Sequence, residues 1–461
     1  MKEDSKAPLF FSLIPQEDSF VSRFFKHMDW NLLIDVLALT FIGFLMIYSA
    51  SLRFQRQEIF LGKQLLAFLI GFLLLALFSI LNYQIFYQHP RFLFLVSVFL
   101  LLLVLFIGKS YRGAKSWFMF GPFSFQPTEI SKLLVILILA SWCGKRERDM
   151  TQLKNIMVPF LLIFSHVFLI LLQPDFGSTL VYFPILIGMM FIAGVPSFFL
   201  FAILFYLGVT SGGILLHTYL SLSPFLVMKN SFISFLYRGL SLSKEFFLIH
   251  LGIILFLFIC WWFLRGLKFR NFGFYFVNLF LLIFLGLFSS SMVTGLLKSY
   301  QRKRLMVFFS PEIDPTGSGY HVIQSVITLG SGKVLGKGLF SGTQSRLGFL
   351  PEQHTDFIFS VLGEELGFLV SGLVILLYLG LVWRAFLIAE SSRDFFGALV
   401  ASGIGTMFAF YAILNLAMVM GLAPVTGLPL PFLSYGGSSL ISSLAAVGIL
   451  LSIHIRRFTY T

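Results

Sequence analysis

Charge is what this sequence has least of: 11% of its 461 residues are Asp, Glu, Lys or Arg. A soluble domain of that length needs roughly a quarter charged residues to cover its surface. A water-soluble globule is therefore excluded. Cysteine is nearly absent too. Cys143 and Cys260 each lie inside an apolar run, which excludes a disulfide framework and a cysteine metal motif. They read as small buried apolar residues. The polar, mixed stretch Met1–Asp29 shows no short apolar core followed by a small-residue cleavage site, so the first helix is expected to remain as an anchor. No internal repeat is visible, which argues against an inverted-repeat transporter. No basic groove with interleaved aromatics appears, so the net charge of +13 does not point to nucleic acid. It fits the cationic flanks of membrane helices and a basic surface facing anionic membrane lipid.

What is present is apolar sequence in long runs, 58% of the chain in all. A bilayer core of roughly 30 Å demands about 20 apolar residues per helix. In lipid the backbone must satisfy itself, which leaves helices or a closed barrel. The runs do not alternate, so a barrel is excluded. The expected fold is an all-α polytopic membrane protein of about twelve spans. The first six lie near 32–49, 65–81, 92–107, 128–143, 156–172 and 178–193. Three more lie near 199–216, 246–263 and 274–292, and the last three near 357–383, 399–420 and 438–455. Residues 1–31 form an N-terminal segment, and 32–461 form one integral membrane domain.

Lys and Arg in short loops set the orientation. Lys145, Arg146 and Arg148 share one connection, and Arg265, Lys268 and Arg270 another. Arg384 and Arg393 share a third, and Arg456 and Arg457 end the chain. Twelve spans put all of these on one side, taken as cytoplasmic together with both termini. Residues 217–245, interrupted by Pro224, read as an external loop or interfacial segment. Three segments then face outward: 108–127, the long loop 293–356, and the Gly- and Pro-rich 421–437. A long ordered loop is usually functional or disordered.

Polar groups at membrane depth carry the information. Glu129 and Lys132 stand at i and i+3, so they share a helix face and can pair. They read either as a helix-end ion pair or as a cation, held by its acid, facing an anionic ligand. Asp175 reads as an N-cap, with a role at a site in addition. Asp356 sits where the long loop enters a span. It reads as a helix cap, or as a partly desolvated carboxylate with a raised pKa suited to a general base. Glu364 and Glu365 lie deeper and are expected to serve as partners of buried cations or backbone. The stretch Pro424 to Ser438 is expected to be a re-entrant-like turn buried in protein or lining a cavity.

Several stretches together resemble the SEDS family (shape, elongation, division and sporulation). They are Gly113-Ala114-Lys115-Ser116-Trp117, Phe125-Gln126-Pro127-Thr128-Glu129-Ile130-Ser131-Lys132 and Gln173-Pro174-Asp175-Phe176-Gly177. Further on come Tyr300-Gln301-Arg302 with Arg304, Gly319-Tyr320-His321 with Gln324-Ser325, Gly342 to Asp356, and the Pro/Gly turn. They occur in the family's order over most of the chain. Gly342-Thr343-Gln344 and Pro351 to Asp356 resemble the rod-shape branch more than the division branch. The family has ten spans, so two inserted helices are expected within 199–292.

The resemblance implies a peptidoglycan glycosyltransferase that polymerises lipid II for cell elongation and rod shape. The transfer is inverting and releases undecaprenyl pyrophosphate. It implies Asp356 as the base. Lys132, positioned by Glu129, would hold the leaving pyrophosphate together with Lys63, Arg302 or Arg304. Trp117 and Gln126 would line the sugar or peptide path. Asp175, Gln344, Glu352, His354 and Ser434 complete the expected substrate-binding set. A divalent cation (Mg or Mn) is compatible with this chemistry, although the sequence shows no dedicated cage. The implied partners are a class B penicillin-binding protein transpeptidase and other elongation-complex membrane proteins. The active site would face the periplasm. A lipid II flippase and a non-catalytic scaffold for a transpeptidase are the rival readings.

Overall fold

The computed structural model describes residues 26–52, 57–111, 114–120, 123–241, 244–265, 270–297, 299–313 and 317–458. Each expected apolar run forms a helix. The first half holds α1 (Trp30–Ser51), α2 (Gln57–Ile80), α3 (Gln84–Gln88), α4 (Pro90–Ile107), α5 (Pro127–Gly144), α6 (Leu153–Leu172) and α7 (Phe176–Ile192). Next come α8 (Ser197–Leu222), α9 (Pro224–Lys229), α10 (Ser231–Leu240), α11 (Lys244–Arg265) and α12 (Arg270–Leu296). The chain continues with α13 (Ser299–Phe309), α14 (Ser318–Ser331), α15 (Thr343–Leu347), α16 (Ile358–Glu390), α17 (Phe395–Val419) and α18 (Gly437–Arg456). Among the described residues, ten helices are long and apolar enough to cross a membrane. Two of the expected set fall outside that group. α7 has 17 residues, and α11 forms with α10 a pair bent by 89°.

Helix starts follow local chemistry. Asp29, Asp175 and Asp394 cap α1, α7 and α17 by accepting a backbone N–H, which satisfies one of the orphan donors of a first turn. Pro90 and Pro127 open α4 and α5, where a missing N–H costs nothing. α18 is enclosed on almost every side and is rich in Ser, Ala and Gly, the small residues that let membrane helices approach closely. A Cβ on Gly448 would meet the Leu75 carbonyl of α2 at 2.6 Å. α5, α17 and α18 form the buried centre. α8, α11 and α12 pack on one another at the periphery and meet the rest mainly through α7 and α13.

One expectation needs correction, and two segments gain detail. Residues 108–127 hold a small antiparallel sheet, β1 (Lys109–Tyr111), β2 (Ala114–Phe120) and β3 (Phe123–Phe125), a local addition to the expected all-α membrane fold. Ser116 and Phe118 are buried while Met119 is exposed. That is a strand period too short to stand out from an apolar background. The segment 293–356 is largely helical. α14 buries Val322, Ser325 and Thr328, an amphipathic stripe that low hydropathy disguised as loop. Residues 217–245 hold the end of α8, the short helices α9 and α10 and the start of α11, which fits the interfacial alternative. Lys268 lies outside the described residues, as do Gly113 and residues 1–25.

α16 breaks at Gly367, whose φ of +73° only glycine adopts without strain. The break frees backbone groups at membrane depth, and each must find a partner in protein. The chain after α14 supplies them. Lys337 and Gly338 N–H donate to the Glu364 and Glu365 carbonyls, and Phe368 N–H donates to the Lys333 carbonyl.

Candidate active site

One end of the bundle gathers the motif residues. The Gln126 N–H donates to Ser438 Oγ at 2.9 Å, and Ser438 Oγ donates to the Ser124 carbonyl at 3.2 Å. Lys115 N–H donates to the Gln173 carbonyl, and Tyr435 N–H to the His354 carbonyl. The sheet, the loop before α16 and the turn before α18 therefore interlock. The opposite end carries Lys145 over the Tyr87 ring, Arg384 paired with Asp29 at 2.6 Å, and Arg456 against the end of α2. This matches the cationic side expected from the loops.

The site's buried cation is Lys132. It is fully buried, yet its Nζ lies 2.6 Å from Glu129 Oε1 and bonds the Tyr411 hydroxyl. The same hydroxyl reaches Glu129 Oε2 at 3.3 Å. A buried charge persists only when paired and hydrogen-bonded, and this arrangement meets that condition. One turn along α17 from Tyr411, Asn415 Nδ2 donates to the Asp356 carbonyl at 3.0 Å and to the Leu428 carbonyl at 2.8 Å. α17 thus ties the ion pair to the Asp356 backbone. A Cβ on Gly427 would lie 3.6 Å from Asp356 Oδ2, so the Pro/Gly turn walls that carboxylate. Asp356 is half-buried. It does not cap α16, because Phe357 occupies that position. Above the ion pair, Gln126 Nε2 donates to Asp175 Oδ2 at 2.8 Å, and Ser178 Oγ donates to the same oxygen.

The profile of the FtsW/RodA/SpoVE family, described as "Cell cycle protein", matches residues 29–238 and 247–458. The chain belongs to this family. The peptidoglycan glycosyltransferase RodA of Treponema pallidum is 35% identical over 434 residues, covering 94% of this chain and 98% of that one. A probable peptidoglycan glycosyltransferase FtsW of Trichlorobacter lovleyi is 34% identical over 433 residues, covering 92% of each. The solved structure titled "Structural coordination of polymerization and crosslinking by a peptidoglycan synthase complex" superposes with a TM-score of 0.64 at 28% identity. It covers 94% of this chain and 99% of that one.

The remaining residues singled out by the family resemblance divide. Lys63 is half-buried on α2, next to Gln64, whose side chain accepts from Gly436 N–H at 3.2 Å. Trp117 lies on β2 opposite Lys109. His354 packs edge-on against Phe60 and near Tyr435. Glu352 adopts φ +52° and accepts from Thr355 Oγ1 at 3.4 Å. Ser434 closes its own turn, its Oγ accepting from Leu430 N–H at 2.9 Å. Gln344 donates its N–H to Glu364 Oε1 at 2.9 Å, so it helps to build the loop. Arg302 is not brought to the cluster: its Nη2 donates to the Thr294 carbonyl of α12 at 3.0 Å. The Arg304 side chain lies outside the described residues. Among the described residues no group of three or more His, Cys, Asp or Glu could hold a metal ion, so the donors present do not fit a dedicated divalent-cation cage.

Sequence reasoning missed Tyr411, Asn415 and Lys337. The first two were findable. A Tyr and an Asn at i and i+4 in an apolar helix mark one polar stripe inside a bundle. Lys337 gave no signal, because its partner Glu364 lies 27 residues away.

Proposed function

We propose that the chain is a peptidoglycan glycosyltransferase that joins lipid-linked disaccharide-peptide units, lipid II, into glycan strands. The carrying observation is the pairing of two unlike sites through one helix of the bundle. α17 holds a half-buried carboxylate, Asp356, through Asn415, and a buried cation, Lys132, through Tyr411. A displacement at a sugar carbon with a pyrophosphate leaving group needs a base on one side and positive charge on the other.

In this reading Asp356 takes the proton of the acceptor 4-hydroxyl. The hydroxyl oxygen forms a bond to the donor anomeric carbon as the bond from that carbon to the pyrophosphate oxygen breaks. The configuration inverts, and the electron pair leaves with the lipid pyrophosphate. The charge of Lys132, oriented by Glu129 and Tyr411, attracts the pyrophosphate of the bound donor and holds it equally in the complex and as it leaves. Lys63, Trp117, Gln126, Asp175, Glu352 and His354 border the same end and serve substrate binding.

The motif-bearing end faces the periplasm, and the cationic end with both termini faces the cytoplasm. The cationic loops support this orientation. Rod-shape elongation is the biological role, supported by the Gly342–Gln344 and Pro351–Asp356 motifs. A class B transpeptidase is the partner, which agrees with the synthase complex named for the similar structure.

The test is incubation of purified protein with labelled lipid II, with and without the transpeptidase. Glycan strands are the expected product. Movement of lipid II across vesicles without strands, or binding of the transpeptidase with neither activity, would overturn the reading in favour of a flippase or a scaffold.

A further inference from the structure

A second polar system lies beside the ion pair and has no part in the chemistry above. Four side chains from four helices stand in one line. The Tyr182 hydroxyl on α7 donates to Ser131 Oγ on α5 at 3.0 Å. Ser131 Oγ lies 3.0 Å from Ser97 Oγ on α4. Ser97 Oγ lies 3.0 Å from His166 Nε2 on α6, and His166 Nδ1 lies 2.8 Å from the Leu162 carbonyl. All four side chains are fully buried.

The direction of every bond follows from one end. A carbonyl only accepts, so His166 Nδ1 carries the proton and donates to Leu162. Nε2 of the neutral ring then accepts from Ser97. Ser97 in turn accepts from Ser131, which accepts from Tyr182. An imidazolium would reverse the Ser97 bond, and Ser131 would then receive two donors with no acceptor in the line for its own proton. The neutral ring alone satisfies the whole chain. Such chains strengthen cooperatively in a low dielectric, and breaking any member leaves a buried polar group unpaired.

The line ends at a dead stop on Leu162, so it does not move protons to the site. What it does is hold α5. Ser131 precedes Lys132, about 100° around the helix. On the Lys132 side α5 is gripped by Tyr411 of α17. On the Ser131 side it is gripped by α4, α6 and α7. A rotation of α5 that relaxed the second grip would move the Lys132 ammonium.

We propose that His166, Ser97 and Tyr182 are positioning residues for the Glu129–Lys132 pair. They act through Ser131 to fix where Lys132 places its charge toward the lipid-linked pyrophosphate. This rests on the reading of Lys132 given above.

The test measures KM and kcat for lipid II polymerisation with the full chain and its transpeptidase. His166→Phe and Ser97→Ala each remove one link, and each is expected to raise KM about fivefold, the equivalent of one lost hydrogen bond, with kcat within about twofold. His166→Gln keeps an acceptor in the same place and is expected to restore KM. The double variant is expected to be no worse than His166→Phe, since both break one chain. Ile170→Ala, fully buried on the same helix, serves as the packing control. It is expected to lower the melting temperature and leave KM unchanged. If His166→Phe does not fold, Ser131→Ala removes the central node with less change of volume and is held to the same expectation.

An unchanged KM in Ser97→Ala or Ser131→Ala would overturn the proposal. So would a His166→Gln as impaired as His166→Phe, or an equal KM rise in Ile170→Ala. Failure of the underlying reading looks different: wild type makes no strands, or Lys132→Met matches wild type.

Discussion

Asp356 and Glu364 lie eight residues apart, one before α16 and one inside it, and their surroundings differ in kind. Glu364 is fully buried. Its two oxygens accept from Lys337 Nζ at 2.7 Å, Thr343 Oγ1 at 3.1 Å, Gln344 N–H at 2.9 Å and Ser345 N–H at 3.2 Å. Its neighbour Glu365 accepts from Ser49 Oγ and Phe340 N–H. Asp356 is half-buried, with its backbone pinned by Asn415 and its carboxylate bordered by Gly427. A buried carboxylate ringed by donors is committed to the loop it folds. A reachable carboxylate on a fixed backbone is placed to take a proton from a substrate. In the proposed mechanism the acid density of this stretch therefore serves two ends, a loop scaffold below and a reacting group above.

Four substitutions sharpen or break that contrast. Asp356→Asn is expected to lower strand synthesis by roughly 10²- to 10⁴-fold, with melting temperature nearly unchanged, as read by product gels and thermal unfolding in detergent. Lys132→Met leaves the Glu129 charge buried without its cation. It is expected to abolish synthesis and to destabilise by roughly 3–5 kcal/mol, visible as a large fall in melting temperature. Glu364→Gln weakens four bonds to a charged acceptor. It is expected to cost about 2–3 kcal/mol while the folded fraction keeps its rate.

The smallest effect lies at the far end. Tyr83 donates to Asp394 Oδ2 at 2.9 Å. Burial first, then the Asp394 charge, push its phenol above the usual tyrosine range. A folded pKa above the unfolded one means that the stabilisation is complete below about pH 10 and is lost as pH rises toward the folded value. Tyr83→Phe is expected to cost about 1 kcal/mol at neutral pH and to flatten the alkaline limb of a stability–pH curve, with strand synthesis unaffected.

Much of this was legible in the sequence. Apolar run length located every membrane helix, because lipid imposes a length and an unbroken composition. The i, i+3 spacing of Glu129 and Lys132 announced their pairing, and the depth of Glu364 and Glu365 announced structural partners. What stayed hidden depends on contacts distant in sequence. The Tyr411 hydroxyl and the Asn415 carboxamide matter because α17 crosses both α5 and the loop before α16, and no local pattern reports a crossing. Arg302 was misplaced for the same reason. Its charge suited a pyrophosphate, but α13 turns it back onto α12. The helices of 293–356 were hidden because a helix with a mixed face reads like a loop on hydropathy alone.

The most direct test sets Asp356→Asn beside Glu364→Gln, measuring glycan strand synthesis per folded molecule with lipid II binding followed in the same samples. The account predicts that Asp356→Asn binds lipid II and makes almost no strands, while Glu364→Gln makes strands near the wild-type rate per folded molecule. Strand synthesis by Asp356→Asn at the wild-type rate would contradict it and return the search for the base to the Glu129 cluster.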